Sequence, residues 1–355
     1  MDYSAANPVV WNFIIQMGFV AGAVVLANIF RRRIPFIRKS LMPVAVLAGF
    51  ILLIFKCTGL VKLNNTLMEL LVYHCIAMGF IAMSLRTVSH DADTSGKTVA
   101  VKSGAIIVST YLVQAAVGLI ITLLLSVTLM PDMFKAAGLL LPMGYGQGPG
   151  QANNIGTSYE ALGFAGGRSF GMAIAAAGYI CACTVGVFIL NRWAKKGLLR
   201  EDANNAKDET QMDGYFQSKN EIPVSDSIDR LSVQTVMVLL VYLLTYLLTW
   251  GLTSAIALVS PGLANMVNTL LWGFNFILGS VIAMLTRILL DKGRKAGLIT
   301  RQYQNNYLLN RLSGFFFDIM IVAGIASINP EDISGLLLPF VLMAVGHALV
   351  AENRS

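Results

Sequence analysis

Apolar runs about as long as a membrane-crossing helix recur along this chain, and they constrain its fold more than any other feature. A helix needs about 20 residues to cross a hydrocarbon core of roughly 30 Å. Hydrophobic residues fill 56% of the 355 positions and charged residues only 13%, whereas soluble domains carry about 25% charged residues. The sequence therefore predicts an all-α polytopic membrane protein with about nine transmembrane helices. The predicted crossings are residues 9–30, 41–55, 66–85, 105–129, 169–190, 235–258, 267–290, 307–328 and 333–350.

Lysine and arginine are distributed unevenly between the connections of these crossings. Basic residues concentrate after the first, third, fifth and seventh crossings, and the alternate connections carry few of them. Basic connections stay in the cytoplasm under the positive-inside rule. We therefore expect a multi-pass inner (plasma) membrane protein with its N-terminus outside and its basic loops cytoplasmic. The net charge of +7 is interpreted as this topology signal, so membrane lipid is an expected partner and nucleic acid is not.

One long polar stretch divides the chain. Residues 193–233 are rich in Asp, Glu, Asn, Lys and Ser and lack a helical apolar period, which is typical of a flexible linker. They separate a first membrane repeat of five crossings (1–192) from a second of four (234–355). An odd number of crossings before the linker makes the second unit enter the membrane upside down. Inverted repeats of this kind are a common plan among secondary transporters.

The segment 131–167 is too apolar for an ordinary solvent loop and too broken for one helix. A Leu-rich stretch leads into GYGQGPG at 144–150, and a proline with four glycines cannot sustain continuous helical hydrogen bonds. Backbone freed at membrane depth is tolerated only inside protein or against a water-filled cavity. The segment therefore predicts a re-entrant hairpin from the outside that returns as a half-helix over 152–161. The alternative is an outer loop with turn glycines.

The chemistry of such a hairpin favours ion and anion binding. Carbonyl groups at a glycine-rich tip can coordinate Na⁺, and the N-terminal amides of a returning half-helix suit an anion. Asp318 lies mid-span, where an ionisable residue is costly, so it predicts a cation or proton site or a hydrogen bond to another helix. The candidate substrate- and cation-binding residues are Gly144, Gly146, Gln147, Gly148, Gly150, Gln151, Asn153, Asn154 and Asp318.

The sequence contains no Ser-His-Asp, paired-carboxylate or Cys/His metal constellation. We therefore expect no enzyme activity, no catalytic residues, no fixed metal and no cofactor. A coupling ion such as Na⁺ at the hairpin tip is the expected inorganic partner.

The run 139–152 (LLLPMGYGQGPGQA), followed by 159–164 (YEALGF), resembles the first glycine-rich hairpin of the bacterial sodium/glutamate symporter family. The resemblance covers most of the first half of the chain and less of the second. It implies ten crossings in two inverted repeats, two re-entrant hairpins, Na⁺ coupling and a homodimer. Gln147 stands where the family often has His, and Pro149 stands where it has Thr. This departure from the family pattern concerns the identity of the substrate, glutamate, more than the assignment as a transporter.

The expected function is sodium-coupled symport of glutamate or a related small carboxylate across the bacterial inner membrane. One alternative is a proton-coupled transporter of another organic anion that uses Asp318. Another is a truncated membrane protein that does not transport, because the sequence ends at Ser355 with no match to a second hairpin and last helix.

Overall fold

The computed structural model describes residues 3–4, 7–35, 37, 42–87, 94–195, 230–260, 267–268 and 270–352, and this part of the chain is all-α. Helices satisfy their own backbone hydrogen bonds, which a hydrocarbon surrounding requires. Residues 196–229, most of the predicted linker, lie outside the described part. The helices are α1 (Pro8–Arg33), α2 (Val44–Cys57), α3 (Asn65–Ser84), α4 (Thr94–Thr128), α5 (Pro149–Ala161), α6 (Gly167–Cys181), α7 (Val187–Lys195), α8 (Arg230–Val259), α9 (Asn275–Lys295), α10 (Asn306–Ser327), α11 (Pro330–Ile333) and α12 (Leu337–Glu352).

Six helical stretches in the described part are long and apolar enough to cross a membrane, and each coincides with a predicted crossing. The stretch Gly167–Ile189 joins α6 to α7 through a π-helical turn, Ala182–Gly186. The prediction of a multi-pass, all-α membrane protein is therefore confirmed. The six stretches are Pro8–Arg33, Asn65–Ser84, Val101–Thr128, Gly167–Ile189, Arg230–Val259 and Asn306–Ser327.

The other three predicted crossings are helical over only part of their length. The α2 helix has 14 residues and α12 has 16, which is below the roughly 17–25 residues that a helix needs to cross a bilayer. The run 267–290 is interrupted at Phe274, with φ −108° and ψ 30°, and α9 then continues into charged residues at its C-terminal end. These three runs stay predictions as crossings.

Large apolar side chains cover the outward faces of several helices. Leu112 and Leu124 on α4 are 66% and 61% exposed, and Leu248 on α8 is 59% exposed. Exposing apolar surface to water costs about 25 cal/mol per Å², a cost that disappears when the solvent is hydrocarbon. These faces are suited to lipid.

The chain divides into two compact units. Unit 1 comprises Met1–Tyr73, Ala92–Leu199 and Asp318–Ser355, and unit 2 comprises His74–Asp91 and Arg200–Phe317. The predicted succession of a first repeat, a linker and an inverted second repeat stays a prediction.

The core of unit 1 joins α4, α6 and α12 to the segment that follows α4. Phe170 and Met343 are fully buried beside Leu140. Glycines bring the main chains together there, because a Cβ atom on either Gly118 or Gly138 would collide with the backbone of the other. The apolar segment before the glycine-rich tip is therefore packed inside protein.

The core of unit 2 forms where α3, α8, α9 and α10 contribute apolar side chains. Ile81, Val241 and Leu309 are buried together. The Ser313 hydroxyl donates a hydrogen bond of 2.9 Å to the carbonyl oxygen of Gly79. This bond satisfies a buried hydroxyl within an otherwise apolar contact.

Candidate ligand-binding site

The helical path of the chain is interrupted at Gly148. A 3₁₀ turn (Lys135–Leu139) and a π-helical turn (Pro142–Gln147) precede it. Gly148 has φ +93° and ψ −174°, a combination that is essentially restricted to glycine. Pro149 disfavours a helical conformation at the residue before it and fits the first position of α5, where no N–H is needed. The predicted break within 144–150 is therefore present and centred on Gly148.

The break lies beside the middle of a candidate membrane span. A Cβ atom on Gly178 would lie 3.1 Å from the Cα atom of Tyr145. A Cβ atom on Gly148 would lie 3.4 Å from the Tyr179 hydroxyl oxygen. Gly178 is central by residue count in the stretch Gly167–Ile189. The non-helical backbone thus lies next to the midpoint of that stretch instead of its end.

Small residues hold the segment and α5 tightly against α6. A Cβ atom on Gly144 would come within 2.8 Å of the backbone nitrogen of Ala175, and one on Gly171 within 2.9 Å of the Ala152 carbonyl oxygen. A Cβ atom on Gly156 would likewise lie only 2.6 Å from the Arg168 Cα atom. Larger side chains at these positions would push the main chains apart.

Helix α4 contacts the other side of the tip. The Tyr111 hydroxyl donates a hydrogen bond of 3.2 Å to the Gly146 carbonyl oxygen. The side-chain oxygen of Gln114, a buried residue, lies 2.8 Å from the position of a Cβ atom on Gly146. Gly146 is exposed and Gln147 is half-buried. The tip is therefore anchored through its main chain while part of it stays accessible.

The first turns of α5 carry a buried polar cluster. Gln151, Asn153 and Asn154 are each only 5% exposed, and Gly150 beside them is also buried. The Asn153 Oδ1 and Asn154 Nδ2 atoms have no hydrogen-bond partner within the described residues. A buried polar atom left without a partner costs about 1–3 kcal/mol. One hydrogen-bond acceptor and one donor therefore lie next to the break without partners among the described residues. A bound polar group that bonded to them would remove this free-energy cost.

Asp318 belongs to the same unit and lies close to this region. Its side chain is exposed, and its carboxylate lies within electrostatic range of the Tyr179 hydroxyl. Six residues further along α10, a Cβ atom on Gly324 would lie 3.0 Å from the Cβ atom of Pro149. Six helical residues span about 9 Å. The structure therefore brings Asp318 near the glycine-rich break, although the two are far apart in sequence.

Ion pairs connect the helices that surround the buried side chains of Gln151, Asn153 and Asn154. Arg168, at the start of α6, forms an ion pair with Glu69 of α3 and a longer contact of 3.7 Å with Glu160 of α5. The Arg168 backbone N–H also donates to a Glu160 side-chain oxygen at 3.0 Å. One guanidinium thus bridges two carboxylates from two helices.

Two tyrosines near the break were not among the predicted site residues. Tyr111 and Tyr179 both lie inside apolar runs, whereas interfacial tyrosines concentrate at the ends of membrane helices. Tyr179 also follows a run of alanines and a glycine, where its hydroxyl is an isolated polar group. Their position in the interior of predicted crossings was therefore the feature of the sequence that could have identified them as site residues.

No protein-family model matches this chain, and no curated protein or solved structure matches it. The chain is a polytopic, all-helical membrane protein, and its unit 1 contains a helix break at Gly148 followed by two buried asparagine side chains.

Proposed function

We propose that this protein is a secondary active transporter that couples the symport of glutamate or a related small carboxylate to Na⁺. The observation that carries the proposal is the pair of buried amide atoms, Asn153 Oδ1 and Asn154 Nδ2, which have no partner within the described residues. They lie on the helix that begins directly after the Gly148 break. A polar ligand at the break would satisfy both atoms.

The N-terminal end of α5 is suited to a carboxylate. Backbone N–H groups in the first turn of a helix have no intrahelical acceptor, and the helix dipole favours negative charge there. Gln151 and Asn154 are three residues apart and therefore share a helical face. Together these donors fit an anionic group of small size.

Oxygen atoms near the break are suited to a monovalent cation. Cations in transporters are coordinated by the carbonyl groups of unwound segments and by side-chain oxygens. The Asn153 Oδ1 atom is an acceptor of this type, and Asp318 adds a negative charge on the neighbouring helix α10. A cation and a carboxylate bound close together would also attract each other.

The position of the break supports a re-entrant arrangement. Contacts between the glycine-rich segment and residues 171–179 of the α6 region run to the centre of a candidate span. Non-helical backbone at membrane depth is expected only where protein or water covers it. If the segment enters the membrane as a hairpin, its tip lies near the bilayer midplane, where many transporters bind their substrates.

Uptake into vesicles tests this function directly. Purified protein is reconstituted, and uptake of radiolabelled glutamate is compared under inward Na⁺, inward K⁺ and no gradient. We expect uptake only with the Na⁺ gradient and competition by unlabelled glutamate. Uptake that ignores Na⁺, together with no competition by glutamate, would overturn both the coupling ion and the substrate.

A second candidate function is proton-coupled transport of another organic anion. It is favoured by the exposure of the Asp318 carboxylate in mid-helix and its lack of an ion-pair partner within the described residues. Under this mechanism a pH gradient alone drives uptake, and Asp318→Asn abolishes that response. The matched control is Asp132→Asn, which removes an exposed carboxylate outside the described helices.

A further inference from the structure

The side-chain ammonium group of Lys56, near the C-terminal end of α2, is surrounded by oxygen atoms from elsewhere in unit 1. Its nitrogen lies within hydrogen-bond distance of five acceptors, three of them carbonyl oxygens at the C-terminal end of α10. The acceptors are Asn329 Oδ1 at 2.8 Å, Asn65 Oδ1 at 2.9 Å, Ile328 O at 3.0 Å, Ala326 O at 3.3 Å and Ser327 O at 3.4 Å. We call this group of five the oxygen cage.

The number of acceptors exceeds what an ammonium group can use as a hydrogen-bond donor. Lysine carries three N–H donors, whereas five oxygens approach Lys56 from several directions. An arrangement with more oxygens than protons is typical of ion coordination, as in the carbonyl rings of cation channels. An ordinary lysine cap at a helix C-terminus needs only the last carbonyl groups.

The surroundings of the oxygen cage are also negative. The carboxylates of Asp332 and Glu69 lie within electrostatic range of Lys56, and the C-terminal end of α10 contributes the negative end of its dipole. Asn329 is held in place because its amide nitrogen donates to Asp332 Oδ2 at 3.2 Å. The Asn329 Oδ1 atom also accepts a hydrogen bond of 2.8 Å from the Asn65 Nδ2 atom. A cation is therefore needed chiefly by the three carbonyl oxygens and Asn65 Oδ1, which would otherwise face one another in a half-buried place.

We propose that the oxygen cage is a monovalent-cation site that the chain fills with its own ammonium group. When the Lys56 side chain is cut back, a free cation of similar size, K⁺ or NH₄⁺, binds in its place. Na⁺ is smaller than ammonium and fits oxygens at these separations less well. This inference concerns the cohesion of α2, α3 and α10 and does not depend on transport.

Thermal unfolding of purified Lys56→Ala tests the proposal in the chlorides of choline, Na⁺, K⁺ and NH₄⁺ at constant ionic strength. In choline chloride we expect the variant to melt about 5 °C below the parent chain. K⁺ and NH₄⁺ restore most of this loss in a saturable manner, and Na⁺ restores less. The parent shows no corresponding K⁺ or NH₄⁺ dependence.

Three further variants separate a cation site from a simple cap. Lys56→Met keeps the volume of the side-chain stem, so it loses stability without recovery in K⁺ or NH₄⁺. Lys56→Arg keeps the charge and stays insensitive to the salts. Lys62→Ala removes a nearby exposed lysine and melts like the parent in all four salts.

The proposal is overturned if Lys56→Ala melts like the parent in choline, or if its loss is the same in every salt. Equal recovery of Lys56→Met in K⁺ overturns it too. The proposal also fails if Lys56→Ala does not fold even in K⁺ or NH₄⁺ while Lys56→Arg and Lys62→Ala fold. In that case a free cation does not replace the ammonium group.

Discussion

The hydroxyl oxygen of Tyr179 lies 3.4 Å from the point that a Cβ atom on Gly148 would occupy. This contact links the pivot of the glycine-rich break to α6, and through the same tyrosine to the neighbourhood of Asp318. Gly148 can therefore influence the candidate site in two ways: through its positive φ and through the absence of a side chain beside Tyr179. The two effects can be separated experimentally.

Replacing Gly148 with alanine strains the backbone and fills the space beside Tyr179. A non-glycine residue in this conformation costs about 1–3 kcal/mol, so we expect a lower melting temperature and loss of uptake. Gly163→Ala is the matched control, since Gly163 has φ +98° but no atom of the described residues lies within 4 Å of its Cβ position. It should lose similar stability and keep its uptake. Equal uptake loss in both variants would show that strain, and not the site, is responsible.

The buried amide of Asn154 should matter for ligand binding more than for folding. Its Nδ2 atom has no partner in the described part of the chain, so Asn154→Leu removes an unsatisfied buried group and should leave the melting temperature unchanged or higher. Uptake, or stabilisation by added substrate, should fall at least about tenfold, which corresponds to about 1.4 kcal/mol.

A buried asparagine with a satisfied side chain provides the contrast. Asn305 Oδ1 accepts a hydrogen bond of 2.8 Å from the Leu308 backbone N–H, so Asn305→Leu should lower stability by about 1–3 kcal/mol. If Asn154→Leu destabilises the protein as much as Asn305→Leu does, the amide of Asn154 has a structural role instead.

The close contact between α4 and the segment before the break should tolerate no side chain. A Cβ atom on Gly138 would collide with the Gly118 backbone, and overpacking of this kind typically costs about 1–3 kcal/mol. Gly138→Ala should therefore melt below the parent. Gly104 lies on α4, and within the described part of the chain no atom lies within 4 Å of its Cβ position. Gly104→Ala should therefore be neutral or stabilise by up to about 1 kcal/mol. A Gly138→Ala variant as stable as the parent would contradict this packing.

Local features of the sequence predicted the helices and the break because each depends on neighbours in the chain. Six long apolar runs coincide with helices that can cross a membrane. The proline and glycines of 144–150 interrupt the helix as expected, and α5 begins at Pro149 instead of 152 because proline is favoured at the first helical position. The interruption at Phe274 was missed, since the run 267–290 contains no proline.

Contacts between distant residues were beyond prediction from one sequence. Lys56 and Asn329 are 273 residues apart and meet at 2.8 Å, and no spacing rule relates them. The nearness of Asp318 to Tyr179 is of the same kind. Periodicity identifies a helix, whereas the packing of helices decides which polar groups share a site. Single polar residues inside apolar runs indicated where to look without identifying their partners.

The bridge made by Arg168 should contribute more to stability than a surface ion pair does. Its side chain is 28% exposed, and its partners Glu69 and Glu160 are 22% and 28% exposed. Arg168→Gln leaves two carboxylates facing each other without a cation, so we expect a loss of about 1–3 kcal/mol. The Arg294–Asp291 pair is more exposed, at 34% and 36%, and lies within one helix; Arg294→Gln should therefore lose at most about 1 kcal/mol.

A second substitution distinguishes charge repulsion from lost packing. If repulsion between the carboxylates causes the loss, adding Glu69→Gln to Arg168→Gln should restore part of the stability, and the two changes will not be additive. Thermal unfolding of the two single variants and the double variant measures this coupling. Raising the salt concentration should also stabilise Arg168→Gln relative to the parent, because screening weakens the repulsion of partly exposed carboxylates. Additive losses that do not respond to salt would mean that the Arg168 side chain acts through its packing and not through its charge.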